Sequence, residues 1–152
     1  MSLFSKSENK SVEVLSKILA ETYVLLLKTQ NVHWNVEGPD FRSIHLMTED
    51  HYNNLFDAVD VIAERIRMVG GKSPATFEEF LDLASFSDKL GSSDQEGMLK
   101  ELLKAHEAIA EDIKSGMKDL SATDDCGSID VLSSRLGFHE KTIWMLSATL
   151  AH

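Results

Sequence analysis

The sequence predicts an all-α four-helix bundle with a short extra helix in its crossover, and three observations carry that expectation. Four stretches of about 25 residues each repeat apolar side chains at the 3.6-residue period of an amphipathic helix. Two compact turn signals, Gly38-Pro39 and residues 121–127 (SATDDCG), join the members of an outer pair each, short enough for antiparallel neighbours. Between the second and third stretches lies a longer connection, residues 72–92, of the length a crossover between parallel helices requires.

Residues 1–10, MSLFSKSENK, are polar and read as a short N-terminal tail, leaving 11–152 as a single domain. From Ser11 onward Val12, Leu15, Ile18, Leu19, Tyr23, Leu26 and Leu27 recur at helical spacing. Nothing breaks that pattern before Gly38-Pro39, so the first helix ends near Asn35 with His33 and Trp34 in its last turn. Asp40 is placed to cap the second helix, whose apolar stripe runs through Phe41, Ile44, Leu55, Val59, Ile62, Ile66 and Val69 until Gly70-Gly71 stops it. In the crossover, Thr76 and Glu79 form a capping box ahead of Phe77, Phe80, Leu81 and Ala84, which predicts a short helix there. The third long helix starts near Ser93-Asp94 with Leu99, Leu102, Leu103, His106, Ile109, Ala110, Ile113 and Met117 on one face. The fourth carries Ile129, Leu132, Leu136, His139, Ile143, Leu146 and Leu150 almost to the C-terminus.

Composition narrows the function classes. At 43% apolar and 26% charged residues the chain has the balance of a globular domain, and its net charge of -10 opposes general electrostatic binding of nucleic acid. The single cysteine, Cys126, excludes an intrachain disulfide and suits a reducing compartment, where it reads as a lone thiol near a helix start. No signal peptide pattern opens the chain, and the longest wholly aliphatic run, residues 24–27, cannot span a bilayer, so a cytoplasmic protein without membrane contact is expected.

The chemistry concentrates in residues 31–71. His45 and Glu49 are four apart, as are Asp60 and Glu64, so each pair lies on one helical face within reach of one ion, and His33 stands at the preceding corner. The eleven-residue step from Glu49 to Asp60 returns to nearly the same azimuth, which puts all four on one stripe. Within one helix the pairs cannot share an ion, because His45 and Asp60 stand roughly 22 Å apart along the axis at 1.5 Å per residue. Two such helices running antiparallel about a two-fold axis near Asn54 and Leu55 bring His45 opposite Glu64 of the partner subunit and Glu49 opposite the partner's Asp60. Tyr52, Asn53 and Phe56 share that azimuth and belong near the two-fold contact. Two imidazoles and three carboxylates suit iron, zinc or manganese. Spacing alone fits equally well a set of solvated helix charges with His33 as a hydrogen-bonded corner residue.

Other constellations are weaker. No Glu precedes a His by three residues and no HExxH occurs, so neither an in-bundle di-iron centre nor a zinc protease is indicated. His106 and His139 read as buried, hydrogen-bonded histidines, His51 and His152 as surface residues, and Trp34 and Trp144 as packing groups. Gly70-Gly71-Lys72 lacks the upstream spacing of a phosphate loop.

Through NVHWNVEGPDF, SIHLM, DAVDVIAERI and the Gly-Gly stop, then SIDVLSSR and EKTIWML, the sequence resembles the Dps proteins, or mini-ferritins, over nearly its whole length. The resemblance implies a ferritin-like bundle assembled into a twelve-subunit shell. Iron would be oxidised there at two-metal centres shared across two-fold interfaces and stored inside as ferric mineral, in the service of iron homeostasis and protection from oxidative stress. His33, His45 and Glu49 match the ligands given by one subunit, Asp60 and Glu64 those of its neighbour, and position 49 departs from the family's usual Asp. Hydrogen peroxide would be the preferred oxidant over dioxygen, with Trp34 as a quencher of stray oxidising equivalents and Asp119, Asp124, Asp125 and Asp130 as acids of an iron-entry pore, helix capping being the rival reading of Asp124 and Asp125. Zinc could substitute for iron. The alternatives are a cage holding zinc or another metal with little turnover, and a nucleoid-associated protein that compacts DNA. The latter is disfavoured by the acidic charge and by an N-terminus with only Lys6 and Lys10.

Overall fold

The computed structural model describes residues 6–152, with side-chain environments from Lys10 onward. It contains five helices: α1 (Lys6–Asn35), α2 (Phe41–Met68), α3 (Phe77–Leu83), α4 (Gln95–Leu120) and α5 (Cys126–Leu150). The hairpin α1–α2 packs along α4–α5, and the short α3 lies against α1. Helix α1 begins five residues before the expected Ser11, because Lys6 to Lys10 contain no helix breaker. The remaining expected tail, residues 1–5, lies outside the described residues.

The core is built from the aliphatic stripes: Leu15, Ile18, Leu19 and Leu25 of α1, Ile44, Leu55, Ile62 and Ile66 of α2, Leu99, Leu102, Ile109 and Ile113 of α4, and Leu132 and Leu146 of α5. Buried Thr22 and Thr29 donate their hydroxyls to the carbonyls of Ile18 and Leu25, which satisfies them without interrupting α1. Two parts of the expected stripes face outward instead. Phe41 is largely exposed, as is Phe77 of α3, whose one buried residue is Phe80, stacked on Tyr23 at 4.8 Å.

Local chemistry sets the ends of these helices. Helix α2 stops in a Schellman motif: Gly71 N–H donates to Ile66 O and Gly70 N–H to Arg67 O, with Gly70 at φ +91°, where a side chain is disfavoured. Helix α3 has the full capping box, Thr76 Oγ1 accepting from Glu79 N–H and Glu79 Oε2 accepting from Thr76 N–H. Asp94 and Asp125 cap α4 and α5 by accepting from Gly97 and Ser128 N–H.

Asp40 does not cap α2. Its carboxylate accepts from Gln95 Nε2 at 3.0 Å and its N–H donates to Gln95 Oε1 at 3.2 Å, so the α1–α2 corner is fastened to the first residue of α4. Gly38, at φ +143°, lets Gln95 approach, since a Cβ there would meet its Oε1 at 2.6 Å. The crossover is held to α1 by two buried ionisable side chains. Glu21 Oε2 accepts from both Ser85 N–H and Ser85 Oγ, while Lys28 Nζ donates to the carbonyls of Ser87 and Lys89.

His51 is buried at 4% exposure, not on the surface. It follows Ile44 by seven residues and precedes Leu55 by four, squarely on the core stripe of α2. His106 and His139 are buried as expected and are each other's partner, Nδ1 to Nδ1 at 2.9 Å. Trp34 and Trp144 do not pack in the protomer, being 61% and 67% exposed.

Candidate metal centre

The corner between α1 and α2 brings His33 and His45 together. His33 closes the last turn of α1 and is buried, whereas His45 is half-buried in the first turns of α2. Their rings stack at 3.7 Å, only 14° from parallel. Each ring is tied to the other residue's backbone: His33 Nδ1 donates to His45 O at 2.7 Å, and His45 Nδ1 donates to His33 O at 2.8 Å. A carbonyl accepts only, so both Nδ1 atoms carry the proton, and both Nε2 lone pairs are left for a cation.

Thr48 reinforces this arrangement. Its buried hydroxyl lies 3.3 Å from His33 Nδ1 and donates to the carbonyls of Ile44 and His45. Tyr52 meets the His33 ring edge-on at 5.1 Å, and Phe41 stacks on His45 at 5.1 Å, so the exposed Phe41 shelters a ligand ring instead of joining the core. The role of Thr48 was absent from the sequence reading. Its position, three residues after His45 on the buried stripe, was the available signal.

The carboxylates are differently placed. Glu49 is half-buried, one turn from His45, and Asp60 and Glu64 are exposed on the later part of α2. Among the described residues none of the three side chains makes a hydrogen bond or an ion pair. Within one protomer no group of three or more His, Cys, Asp or Glu among the described residues could hold a metal ion. Phe56 (67% exposed), Val61 and Met68 stand out on the same helix, with Asn53 also exposed.

The four acids expected at an entry pore fall into two groups. Asp124 and Asp130 are exposed, and Asp119 pairs with Lys10 at 3.5 Å. Asp125 is committed elsewhere: it caps α5, accepts from Ser11 and Ser128, and pairs with Arg65. Burial alone would raise its pKa, but these donors outweigh burial and hold it down to about 2. Its carboxylate joins three helices, which gives the capping alternative for Asp125 its structural form. Cys126 is free and exposed in the first turn of α5.

The arrangement offers two imidazole nitrogens and a nearby carboxylate at one end of α2, with a carboxylate pair at the other. These donors, nitrogen and oxygen without thiolate, match the preference of Fe(II) and Zn(II).

Comparison with known proteins places this geometry in context. The ferritin-like domain family matches residues 12–152. The chain is 38% identical over 143 residues to DNA protection during starvation protein 2 of Bacillus anthracis, covering 93% of this chain and 98% of that protein. It is 37% identical over 138 residues to an uncharacterized low temperature-induced protein of Nostoc sp., covering 89% of this chain and 76% of that one. The crystal structure of a Dps protein from Bacillus brevis superposes with a TM-score of 0.93 at 28% identity, over 99% of this chain and all of that one (100%).

Proposed function

Because this chain belongs to the ferritin-like family and, within it, to the Dps proteins, we propose that it oxidises Fe(II) at centres completed by two copies of the chain and stores the ferric product inside a twelve-chain shell. The observation that carries this reading is the reciprocal lock of His33 and His45, which leaves two Nε2 lone pairs aimed away from the backbone with Glu49 one turn on. Such a lock serves a cation and is superfluous for a corner histidine that only needs a hydrogen bond. The unpartnered Asp60 and Glu64 supply the missing anionic donors from the partner subunit.

In this mechanism His33, His45 and Glu49 bind Fe(II) from one subunit, and the partner's Asp60 and Glu64 bind from the other. Each Fe(II) gives up one electron, and hydrogen peroxide takes two electrons and two protons to become two waters, so two irons are consumed per peroxide. The imidazoles bind through Nε2 with Nδ1 held by the facing carbonyls, and the three carboxylates offset the charge that rises on oxidation. Glu49, longer by one methylene than the family's usual Asp, reaches further from the α2 backbone toward the shared site. Dioxygen is the slower oxidant in this scheme. Trp34, exposed next to His33, is positioned to give up an electron to a stray oxidant, and Asp119, Asp124 and Asp130 remain the acids proposed for iron entry.

The test is anaerobic mixing of Fe(II) with peroxide while ferric absorbance is followed. Wild-type protein oxidises two irons per peroxide, and Asp60→Ala with Glu64→Ala removes the fast phase. An unchanged rate in that double variant would sink the assignment. Zinc bound at the same residues without iron turnover would instead make the protein a metal-holding cage.

A further inference from the structure

A second polar cluster lies inside the bundle, between α2, α4 and α5, and the iron chemistry does not use it. Its centre is the contact of His106 with His139, about halfway along α4 and α5, where Nδ1 faces Nδ1 at 2.9 Å and both residues are buried. Around it stand Phe138, 6.1 and 5.1 Å from the two rings, and His51 of α2, 6.3 Å from His106. The Arg135 guanidinium lies over the Phe138 ring at 4.6 Å, 8% exposed, with one hydrogen bond from Nη1 to Asn54 Oδ1 at 2.7 Å. His106 Nε2 and His139 Nε2 are sealed from solvent without a partner among the described residues.

Such a contact limits how many protons the pair can hold. With Nδ1 facing Nδ1, one ring donates and the other accepts, so the accepting ring carries its own proton on Nε2, and the neutral pair holds two protons on four nitrogens. A third can go only to the donating ring's Nε2, which is buried with no acceptor to meet it. A fourth must enter between the Nδ1 atoms and sets two donors face to face. The surroundings oppose both steps. Arg135 has no carboxylate against it, and burial, which lowers its pKa to about 10, leaves it charged at neutral pH. Besides each other, the groups that act on the pair are His51 and Arg135, and no carboxylate among the described residues does so. Glu107 and Glu140, next along each helix, are exposed, while Asp50 and Lys141 act on His51. Burial first, and then these neighbours, hold His106 down to about 3 and His139 well below the usual histidine range.

We propose that the His106–His139 contact is an acid-released fastening of α4 to α5, closed while the pair holds two protons and opened when acid adds more. In the unfolded chain each imidazole takes up a proton at about pH 6.5. Below that pH the unfolded state therefore binds more protons than the folded state. The contribution of the pair to stability is whole above about pH 6.5 and is lost as pH falls from there toward about 3. At pH 4.5 each ring weighs against the closed state by about a hundredfold, and the pair by about ten-thousandfold. His51 and Asn54 of α2 border the same cluster, so opening also loosens α2 from the α4–α5 hairpin.

Neutron diffraction from crystals of the assembled wild-type protein, grown in heavy water at about pH 5, counts these protons directly. Two deuterons are expected on the four ring nitrogens, one of them between the Nδ1 atoms. Three or four in the folded protein would overturn the proposal. In solution, urea unfolding at fixed protein concentration and without iron compares the wild-type protein with the double variant His106→Asn and His139→Asn, which keeps His51 and every other titrating side chain. Between about pH 7.5 and 4.5 the wild-type folding equilibrium should fall by about ten-thousandfold more than that of the variant. Equal acid losses in the two proteins would overturn the proposal, and the neutron count decides it even if the double variant fails to fold.

Discussion

His33 and His45 are fixed by the chain itself, whereas Asp60 and Glu64, on the far part of the same helix, have no side-chain hydrogen bond or ion pair among the described residues. The first pair is stacked, and each ring is bound to the other's backbone. The second pair is exposed and free to choose rotamers. In the proposed centre the nitrogen half would meet a cation with little loss of side-chain freedom, and the carboxylate half would have to be ordered by the partner surface and the ion together. This difference teaches where assembly enters the chemistry. If the proposed shared centre forms, the single chain offers only part of the donor set, so strong binding and oxidation would be properties of the dimer.

The largest expected effect breaks that contrast outright. Asp60→Ala with Glu64→Ala should lower the initial rate of ferric absorbance by about a hundredfold or more, since it removes both anionic donors of the second half. A subtler experiment mixes two inactive proteins, one altered at His33 and His45, the other at Asp60 and Glu64. If sites are shared about a two-fold axis, random pairing makes half the dimers mixed and leaves one of their two sites intact, so about one quarter of wild-type activity returns. Sites built within single chains would give none.

A control at a different contact comes from Glu21, which fastens the crossover to α1. Burial raises its pKa to about 7; hydrogen bonds from Ser85 oppose the rise and the neighbouring Asp112 adds to it. The unfolded value lies lower, so between about pH 4.5 and 7 the folded state keeps a proton that the unfolded state has lost, and stability falls as pH rises through that window. Glu21→Gln cannot ionise. It should abolish that slope and leave the variant more stable by on the order of 2 kcal/mol at pH 8 in urea unfolding, with iron oxidation unchanged. A parallel loss of oxidation would mean that the site reports global stability and not its own two halves.

Smaller still is the effect expected of Thr48→Val, which removes the hydroxyl beside His33 but keeps the volume. Binding of Zn(II) to the nitrogen half should weaken by about tenfold, with little change in unfolding. An equal weakening caused by a Thr at a position remote from His33 would deny the nitrogen half its special order.

Much of the fold could be read from spacing, because apolar periodicity, the capping box at Thr76 and Glu79, and the Gly70-Gly71 stop are local signals. The register of His45 with Glu49 and of Asp60 with Glu64 was legible for the same reason, each pair being four apart on one helix. Signals that depend on distant chain were not. Asp40 looked like a helix cap, yet its partner is Gln95, fifty-five residues on. His51 reads as a surface residue in the sequence, yet its register with Ile44 and Leu55 marks a core position. Nor does spacing reveal that two imidazoles exchange hydrogen bonds with each other's carbonyls, since that requires the corner itself to be built. The lone Arg135 was invisible in the same way, for a missing counter-charge is a property of surroundings.

The fastening of Asp40 to Gln95 has a mechanical consequence. The corner that carries both histidines is anchored to the opposite hairpin, while the long crossover leaves the two hairpins otherwise loosely coupled through the chain. If the proposed shell forms, a chain released from its neighbours would retain the stacked His33–His45 corner, and the cage could be taken apart, filled and closed again without rebuilding that part.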